Sequence, residues 1–203
     1  MSKLMQRIVT AIVLIVVLLL VFFTLPPAAA LGILGVFVVI GAWEWSGFLS
    51  LDSLFARSVY VALLAGLMAV VLLLVPDPLP LLPILWTALC WWLCAFIWVL
   101  KYPTPIPPAV GAACGILVII PAWAGIVTLL RVGDRGPEFV LLALAIVWAA
   151  DVGAYFVGRR LGRHKLAPRV SPGKTWEGLA GGLVAASVAA VAGGAWLGIP
   201  PVV

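Results

Sequence analysis

The sequence predicts an all-α fold, a polytopic membrane helix bundle with about seven transmembrane helices in this chain. Of the 203 residues, 66% are apolar and only 9% are charged, whereas about 25% of an ordinary soluble domain is charged. Several apolar runs reach the ~20 residues that cross the hydrocarbon core of a bilayer. These runs lack the alternation of a membrane barrel, and unpaired backbone is costly in lipid, so we expect helices. The composition therefore excludes a soluble globular protein.

Seven apolar segments make up a single transmembrane domain that covers residues 1–203. Their expected bounds are 8–25, 28–49, 58–75, 79–100, 109–130, 139–158 and 177–198. Proline-rich connectors separate several of them, namely Pro26-Pro27, Pro76-Asp77-Pro78 and the stretch from Pro103 to Pro108. The start also imitates a signal peptide, with Lys3 and Arg7 before an apolar run and three alanines after it. That run is long for a signal peptide and a second spanning segment follows at once, so we expect the first segment to remain.

The distribution of positive charge predicts which side of the membrane each connector occupies. With the N-terminus in the cytoplasm, ten of the twelve Lys and Arg residues lie on the cytoplasmic side. The opposite side holds Arg131 and Arg135, beside Asp134 and Glu138. We therefore expect a multi-pass protein of the inner membrane whose N-terminus and polar loop 159–176 face the cytoplasm.

Two acidic residues lie well inside predicted membrane segments. Asp151 is about 11 Å inside the cytoplasmic end of the sixth segment, where a carboxylate costs on the order of 2.5–3.5 kcal/mol unless a polar cavity receives it. Tyr155 is four residues further on and shares its helix face. A hydrogen bond between packed helices would also explain Asp151, but this face leads into the basic loop, which favours the wall of a site. Glu44, between two tryptophans, either pairs with a cation of that loop or contacts a substrate.

The polar loop 159–176 carries six Lys and Arg residues. Charge alone would only anchor the helix ends to anionic lipid, at about 1 kcal/mol for each cation. The residues that follow indicate more, because Ser171-Pro172 is a candidate helix N-cap with Pro at the first helical position, and Thr175 is a second candidate. Either cap would leave free backbone N–H groups beside Lys174, which is a typical phosphate site.

Two other interpretations of the loop are weaker. Gly173-Lys174-Thr175 resembles the end of a P-loop, but a P-loop needs Gly five places before Gly173, and Pro168 stands there. His164 is the single histidine, and a role as general base stays open for it. A histidine among these cations is more simply explained as neutral and solvated.

Four stretches of this region carry a resemblance: Asp151 to Tyr155, Gly158 to Gly162, Lys165 to Pro168, and Ser171 to Gly178. With them the chain resembles the bacterial phosphatidate cytidylyltransferases, also called CDP-diacylglycerol synthases. The stretch from Ala42 to Trp45 also fits this family, as does the order of elements from residue 1 to residue 198. The last of the four stretches is the most specific.

The resemblance implies transfer of the cytidylyl group from CTP to phosphatidate, giving CDP-diacylglycerol and pyrophosphate, with Mg²⁺ as cofactor. Positioning and charge neutralisation supply most of the catalysis in such transfers. Asp151, Lys174 and Glu177 are then the candidate catalytic residues: Lys174 would hold phosphates, and the two acids would orient cations or hold a metal through water. The candidate substrate-binding residues are Tyr155, Lys165, Ser171, Thr175 and Glu44.

The chain departs from the family in one respect. Family members continue into a further membrane region with Lys-Arg, Lys-Asp, Pro-Gly-His-Gly-Gly and Asp-Arg-Asp motifs, which is absent from these 203 residues. We expect the metal ligands in that region, so that the chain is the N-terminal and middle part of a longer enzyme and is inactive by itself.

The expected partners are CTP, phosphatidate, membrane lipids and, as a candidate, a second copy of the chain; no nucleic acid is expected. Two alternatives remain. A multi-pass transporter would show paired broken segments in two corresponding halves. A structural membrane protein with a basic lipid-anchoring loop would need neither Asp151 nor Glu44.

Overall fold

The computed structural model describes residues 3–51, 53–74 and 81–199. Within these residues, seven α-helices follow in chain order: α1 Lys3–Thr24, α2 Pro27–Ser46, α3 Leu54–Leu74, α4 Leu81–Leu100, α5 Pro108–Leu130, α6 Gly136–Leu161 and α7 Trp176–Trp196. Two strands lie between α6 and α7, namely β1 Lys165–Ala167 and β2 Ser171–Thr175. In the described part of the chain, six helices are long and apolar enough to cross a membrane, while the apolar part of α1 is shorter, Ile12–Thr24. The predicted all-α bundle of about seven membrane helices is confirmed.

The prolines that the sequence marks as connectors begin two of the helices. Pro27 and Pro108 occupy the first turns of α2 and α5, and Pro26 and Pro107 precede them in an extended conformation. Proline suits this place because its fixed φ is helical and its missing N–H has no partner in the first turn. The third predicted connector, Pro76-Asp77-Pro78, lies outside the described residues.

Helix α5 packs against α2, α3, α4 and α6 and forms the centre of the bundle. Trp123 of α5 is buried, and its Nε1–H donates to the carbonyl of Met68 at 3.1 Å. Val71, Ala124 and Val127 complete this cluster. A second buried cluster lies towards one end of the bundle around Phe22, and a third lies towards the other end.

Arginine side chains close helix ends on both sides of the bundle. Arg57 donates from Nε to Ser46 Oγ (2.9 Å) and from Nη2 to the carbonyl of Trp43 (3.1 Å), with its guanidinium 4.4 Å from the Trp43 ring centroid. At the opposite end Arg131 donates to the carbonyl of Leu72 at 3.2 Å. The last carbonyls of a helix lack partners within the helix. These cations therefore cap helix ends and also contribute to the charge asymmetry across the membrane.

Helices α6 and α7 pack closely because small residues line their interface. A Cβ on Gly182 would lie 2.8 Å from the carbonyl oxygen of Ala150, and one on Gly178 would lie 3.0 Å from that of Ala154. A larger side chain at either position would therefore push the two backbones apart. This close pair, with the strands that connect it, positions the candidate site.

Candidate functional site

A cavity of about 780 Å³ opens between α6, the two strands and the first half of α7. Its polar lining comes from two elements: Asp151, Tyr155 and Arg159 from α6, and Ser171, Lys174 and Thr175 from β2. Apolar side chains complete the walls, with Phe96 from α4 and Leu179 and Leu183 from α7. The cavity is thus polar beside the strands and apolar along α7.

The polar residues of α6 form a stripe with a spacing of four, which places them on one helix face. The Tyr155 hydroxyl accepts a hydrogen bond from Arg159 Nη1 at 2.7 Å, and the guanidinium lies 5.9 Å from the Tyr155 ring centroid. Asp151 is exposed, and its carboxylate makes no hydrogen bond or ion pair with another described residue. Asp151 and Arg159 are about 12 Å apart along the helix axis. The predicted shared face of Asp151 and Tyr155 is confirmed, and the helix-packing hydrogen bond proposed for Asp151 is not formed within the described part of the chain.

The predicted polar loop 159–176 is mostly regular structure. Residues 159–161 continue α6, and the strands pair in antiparallel fashion, with Lys165 opposite Thr175 and Ala167 opposite Ser171. The prediction that Ser171-Pro172 caps a helix is therefore wrong, because both residues belong to β2. Lys165 does not line the cavity; its Nζ donates to the carbonyl of Pro172 at 2.8 Å and ties the two strands together.

Thr175 is the N-cap of α7, so the second of the two predicted caps is confirmed. Its buried side-chain oxygen accepts a hydrogen bond from the Gly178 N–H at 3.1 Å. The Trp176 N–H donates to the carbonyl of His164 at 3.0 Å. Two of the first N–H groups of α7 are thus satisfied by the protein, so the helix start offers fewer donors for a phosphate than expected. Lys174 precedes the cap and lines the cavity.

The two paired strands, β1 and β2, with the turn between them form a β-hairpin. Glu177 lies in the first turn of α7, and its carboxylate contacts the residues just before this hairpin. Its Oε2 accepts hydrogen bonds from the backbone N–H groups of Arg163 (3.1 Å) and His164 (3.2 Å), and its Oε1 lies 2.6 Å from His164 Nδ1. Neither Glu177 nor His164 lines the cavity. The structure therefore places Glu177 where it fastens the turn before β1 to α7, and places the exposed histidine outside the cavity.

Glu44 is also absent from the cavity lining. It is exposed on α2 and forms no ion pair with a cation of the region 159–176 within the described residues. The ring of the neighbouring Trp43 makes a cation–π contact with the guanidinium of Arg57. The structure does not bring Glu44 together with the other predicted site residues.

Arg159 and Phe96 are among the cavity residues that were not predicted from the sequence. From the sequence, Arg159 counts only among the cations of the polar loop, although its spacing of four from Tyr155 extends the same stripe. No sequence pattern indicates that Phe96 lines a cavity, because its position depends on tertiary packing. Its ring contacts that of Trp176 edge to face, with the centroids 6.3 Å apart. Within the described part of the chain, no group of three or more His, Cys, Asp or Glu side chains forms a metal site.

Comparison with known proteins adds an independent observation. Residues 5–201 match the model of the Cytidylyltransferase family. The chain is 40% identical to a phosphatidate cytidylyltransferase of Pseudomonas aeruginosa over 186 residues, which cover 89% of this chain and 66% of that protein. It is 34% identical to the Haemophilus influenzae protein of the same name over 209 residues, which cover 92% of this chain and 71% of that protein. The chain thus spans about two thirds of the length of these relatives. No solved structure gives a significant match.

Proposed function

The chain belongs to the cytidylyltransferase family, and from this membership and the cavity we propose that it carries out cytidylyl transfer from CTP to phosphatidate. The products are CDP-diacylglycerol and pyrophosphate. The observation that carries the proposal is the amphipathic cavity, which combines two cations with an apolar wall on a membrane helix. Neither the transporter nor the lipid-anchoring alternative is favoured by an observation.

The cavity suits a lipid that ends in a phosphate. Arg159, near the end of α6, and Lys174, on β2, supply charge-assisted hydrogen bonds to phosphate oxygens. Leu183 lies about 10 Å further along α7 from its first residue and lines the same cavity. A phosphatidate would place its phosphate at the two cations and its acyl chains along the α7 leucines.

In the proposed reaction, an oxygen of the lipid phosphate attacks the α-phosphorus of CTP. The new phosphoanhydride bond forms as the bond between the α- and β-phosphates of CTP breaks, and pyrophosphate leaves. Arg159 and Lys174 neutralise the phosphate charges that oppose this approach. Tyr155 holds Arg159 towards the cavity through its hydroxyl.

The family resemblance implies Mg²⁺, and the residues present fit part of a magnesium site. Mg²⁺ commonly binds through one or two carboxylates together with substrate phosphates. Asp151 is a carboxylate in the cavity lining and has no protein partner within the described residues. Asp151 would therefore supply one ligand, and the metal would neutralise phosphate charge.

The chain is a multi-pass membrane protein, and we place it in the inner membrane with the hairpin in the cytoplasm. The charge asymmetry of its connectors supports this orientation. A cytoplasmic hairpin gives the cavity access to CTP. Membrane lipids are its surroundings, and a second copy of the chain stays a candidate partner.

The protein as its gene encodes it, purified in detergent, is mixed with phosphatidate, MgCl₂ and CTP labelled at the α-phosphate. Label should enter a lipid that migrates as CDP-diacylglycerol, with release of equimolar pyrophosphate. Diacylglycerol, which lacks the phosphate, should accept no label. A folded protein that labels no lipid, or that labels diacylglycerol as readily, would contradict the proposal. The same assay applied to residues 1–203 tests the expected inactivity of this chain by itself, which stays a prediction.

A further inference from the structure

The face of β2 that lines the cavity of the candidate site carries little side-chain bulk. Successive side chains of a strand point to opposite faces, so Ser171, Gly173 and Thr175 share one face. All three residues line the cavity, whereas Pro172 does not. This face therefore presents a hydroxyl-bearing residue at each end and bare backbone at its centre.

Gly173 differs from the other described glycines that line the cavity. A Cβ on Gly158, Gly178 or Gly182 would lie 3.2, 3.0 or 2.8 Å, respectively, from its nearest neighbouring atom, so close packing requires glycine there. A Cβ on Gly173 would meet nothing within 4 Å, and the φ of Gly173 is not positive. Neither packing nor backbone conformation therefore requires glycine at this position.

The position of Gly173 inside a strand indicates a ligand instead. Glycine weakens the interior of a strand, and it often marks a place where a ligand approaches the backbone closely. The open space over Gly173 is part of the cavity. A ligand in the cavity could therefore lie directly against the β2 backbone at this residue.

Polar groups without protein partners lie on both sides of Gly173. The Ser171 hydroxyl and the Lys174 ammonium make no hydrogen bond or ion pair within the described residues, and both residues line the cavity. The Lys165 ammonium, by contrast, is bonded to the Pro172 carbonyl. Phosphate oxygens accept hydrogen bonds from hydroxyl and ammonium groups, so this arrangement suits a phosphate.

We propose that Ser171, Gly173 and Lys174 form a phosphate seat for the β- and γ-phosphates of CTP, an inference that rests on the proposed function and deepens it. The pyrophosphate that leaves lies against the backbone at Gly173, and its oxygens accept hydrogen bonds from Ser171 and Lys174. The strands form the polar side of the cavity, whereas an acyl chain requires the apolar wall along α7. The nucleotide therefore occupies the β2 side and the lipid the α7 side, and Lys174 serves the phosphates of both substrates.

The first test measures binding of CTP labelled at the α-phosphate. The protein as its gene encodes it is placed in nanodiscs of phosphatidylcholine with MgCl₂ and without phosphatidate, so that no acceptor lipid is present. Unlabelled pyrophosphate should displace the label. CMP, which lacks the β- and γ-phosphates, should require an at least about tenfold higher concentration than CTP, the effect of one charge-assisted hydrogen bond. Displacement by CMP as readily as by CTP would overturn the phosphate seat alone, whereas absence of any CTP binding would contradict the proposed function as well.

Gly173→Val separates a ligand contact from a structural role. Valine favours strands, so the midpoint of thermal unfolding in detergent should not fall. Its side chain would fill the open space over β2, so the Kd for CTP should rise at least about tenfold. Pro172→Val changes an exposed neighbour on the same strand that does not line the cavity, and it should leave the Kd unchanged. Equal Kd values for these two variants would overturn the proposal.

Steady-state constants distinguish the nucleotide from the lipid as the occupant of the phosphate seat. Ser171→Ala removes one neutral hydrogen-bond donor and should raise KM for CTP about fivefold, while KM for phosphatidate stays the same. An unchanged KM for CTP, or a rise in KM for phosphatidate alone, would overturn the assignment of the phosphate seat to the nucleotide.

Discussion

At the scale of single residues, the cavity joins one carboxylate and two cations that lie far apart in the sequence. Asp151 and Arg159 come from one helix, and Lys174 comes from the strand that leads into the next. A carboxylate without a protein partner is costly at membrane depth. Such a residue is expected where it serves a ligand, which is the role proposed for Asp151.

Asp151→Asn tests that role, because it keeps the size of the side chain and removes its charge. We expect kcat/KM to fall about 10- to 150-fold, the effect of losing a charged interaction in the transition state. The Mg²⁺ concentration for half-maximal rate should also rise, which a purely structural role would not cause. Asp134→Asn, an exposed change in the connector before α6, is the control. Normal kinetics and normal Mg²⁺ dependence would remove Asp151 from the site.

At the scale of secondary structure, the hairpin and the α6–α7 pair hold these residues in place. Local chemistry in the sequence offers both Ser171 and Thr175 as caps. The choice between them depends on strand pairing with Lys165 and Ala167, which is a non-local effect. The bonds of Glu177 to the turn before β1 could not be predicted for the same reason. Helix positions were predictable, since they follow from apolar length alone.

The close packing of α6 on α7 gives a prediction about stability. Gly182→Ala places a methyl group 2.8 Å from the Ala150 carbonyl oxygen, and overpacking of this kind costs about 1–3 kcal/mol. Gly66→Ala on α3 meets nothing within 4 Å and is the matched control. Thermal unfolding in detergent should show a lower midpoint for Gly182→Ala alone. Equal midpoints for the two variants would mean that the helices are not in such close contact.

Glu177 is proposed as a positioning residue of the hairpin. Glu177→Gln weakens its bonds to the turn at Arg163 and His164. Amide hydrogen exchange of residues 163–167 should accelerate, and KM for phosphatidate should rise. Glu138→Gln, which affects a pair with Arg135 at the start of α6, should leave exchange in the hairpin unchanged. Unchanged exchange in Glu177→Gln together with lost turnover would instead favour a direct catalytic role.

At the scale of the whole molecule, the bundle divides its charged groups between two ends. The hairpin and Arg57 lie at one end, while Arg131 and Arg135 lie at the other. Arg131 caps α3, and Arg135 donates to the Leu197 carbonyl after α7. Charge counting predicted this division from the sequence. The cavity itself could not be predicted, because Phe96 reaches it from α4 only through tertiary packing.

Orientation can be tested with two cysteines in an otherwise Cys-free variant. Pro168→Cys lies in the hairpin turn and Asp134→Cys in the connector before α6, and both positions are exposed. An impermeant maleimide should label residue 134 from outside intact spheroplasts, and residue 168 only after lysis. Labelling of both cysteines from the same side would reject the proposed cytoplasmic hairpin.

The central claim is that Arg159 and Lys174 act on the same bound phosphates in one cavity, and a double-mutant cycle tests it most directly. The kcat/KM for CTP and phosphatidate is measured in the protein as its gene encodes it for Arg159→Ala, Lys174→Ala and the double variant, with Arg160→Ala as the control. Each single change should cost about 10- to 150-fold. If the two cations share a ligand, the double variant should deviate from additivity by about 0.5–3 kcal/mol. Single variants with near-normal kinetics, or effects that add within about 0.3–0.5 kcal/mol, would contradict the account.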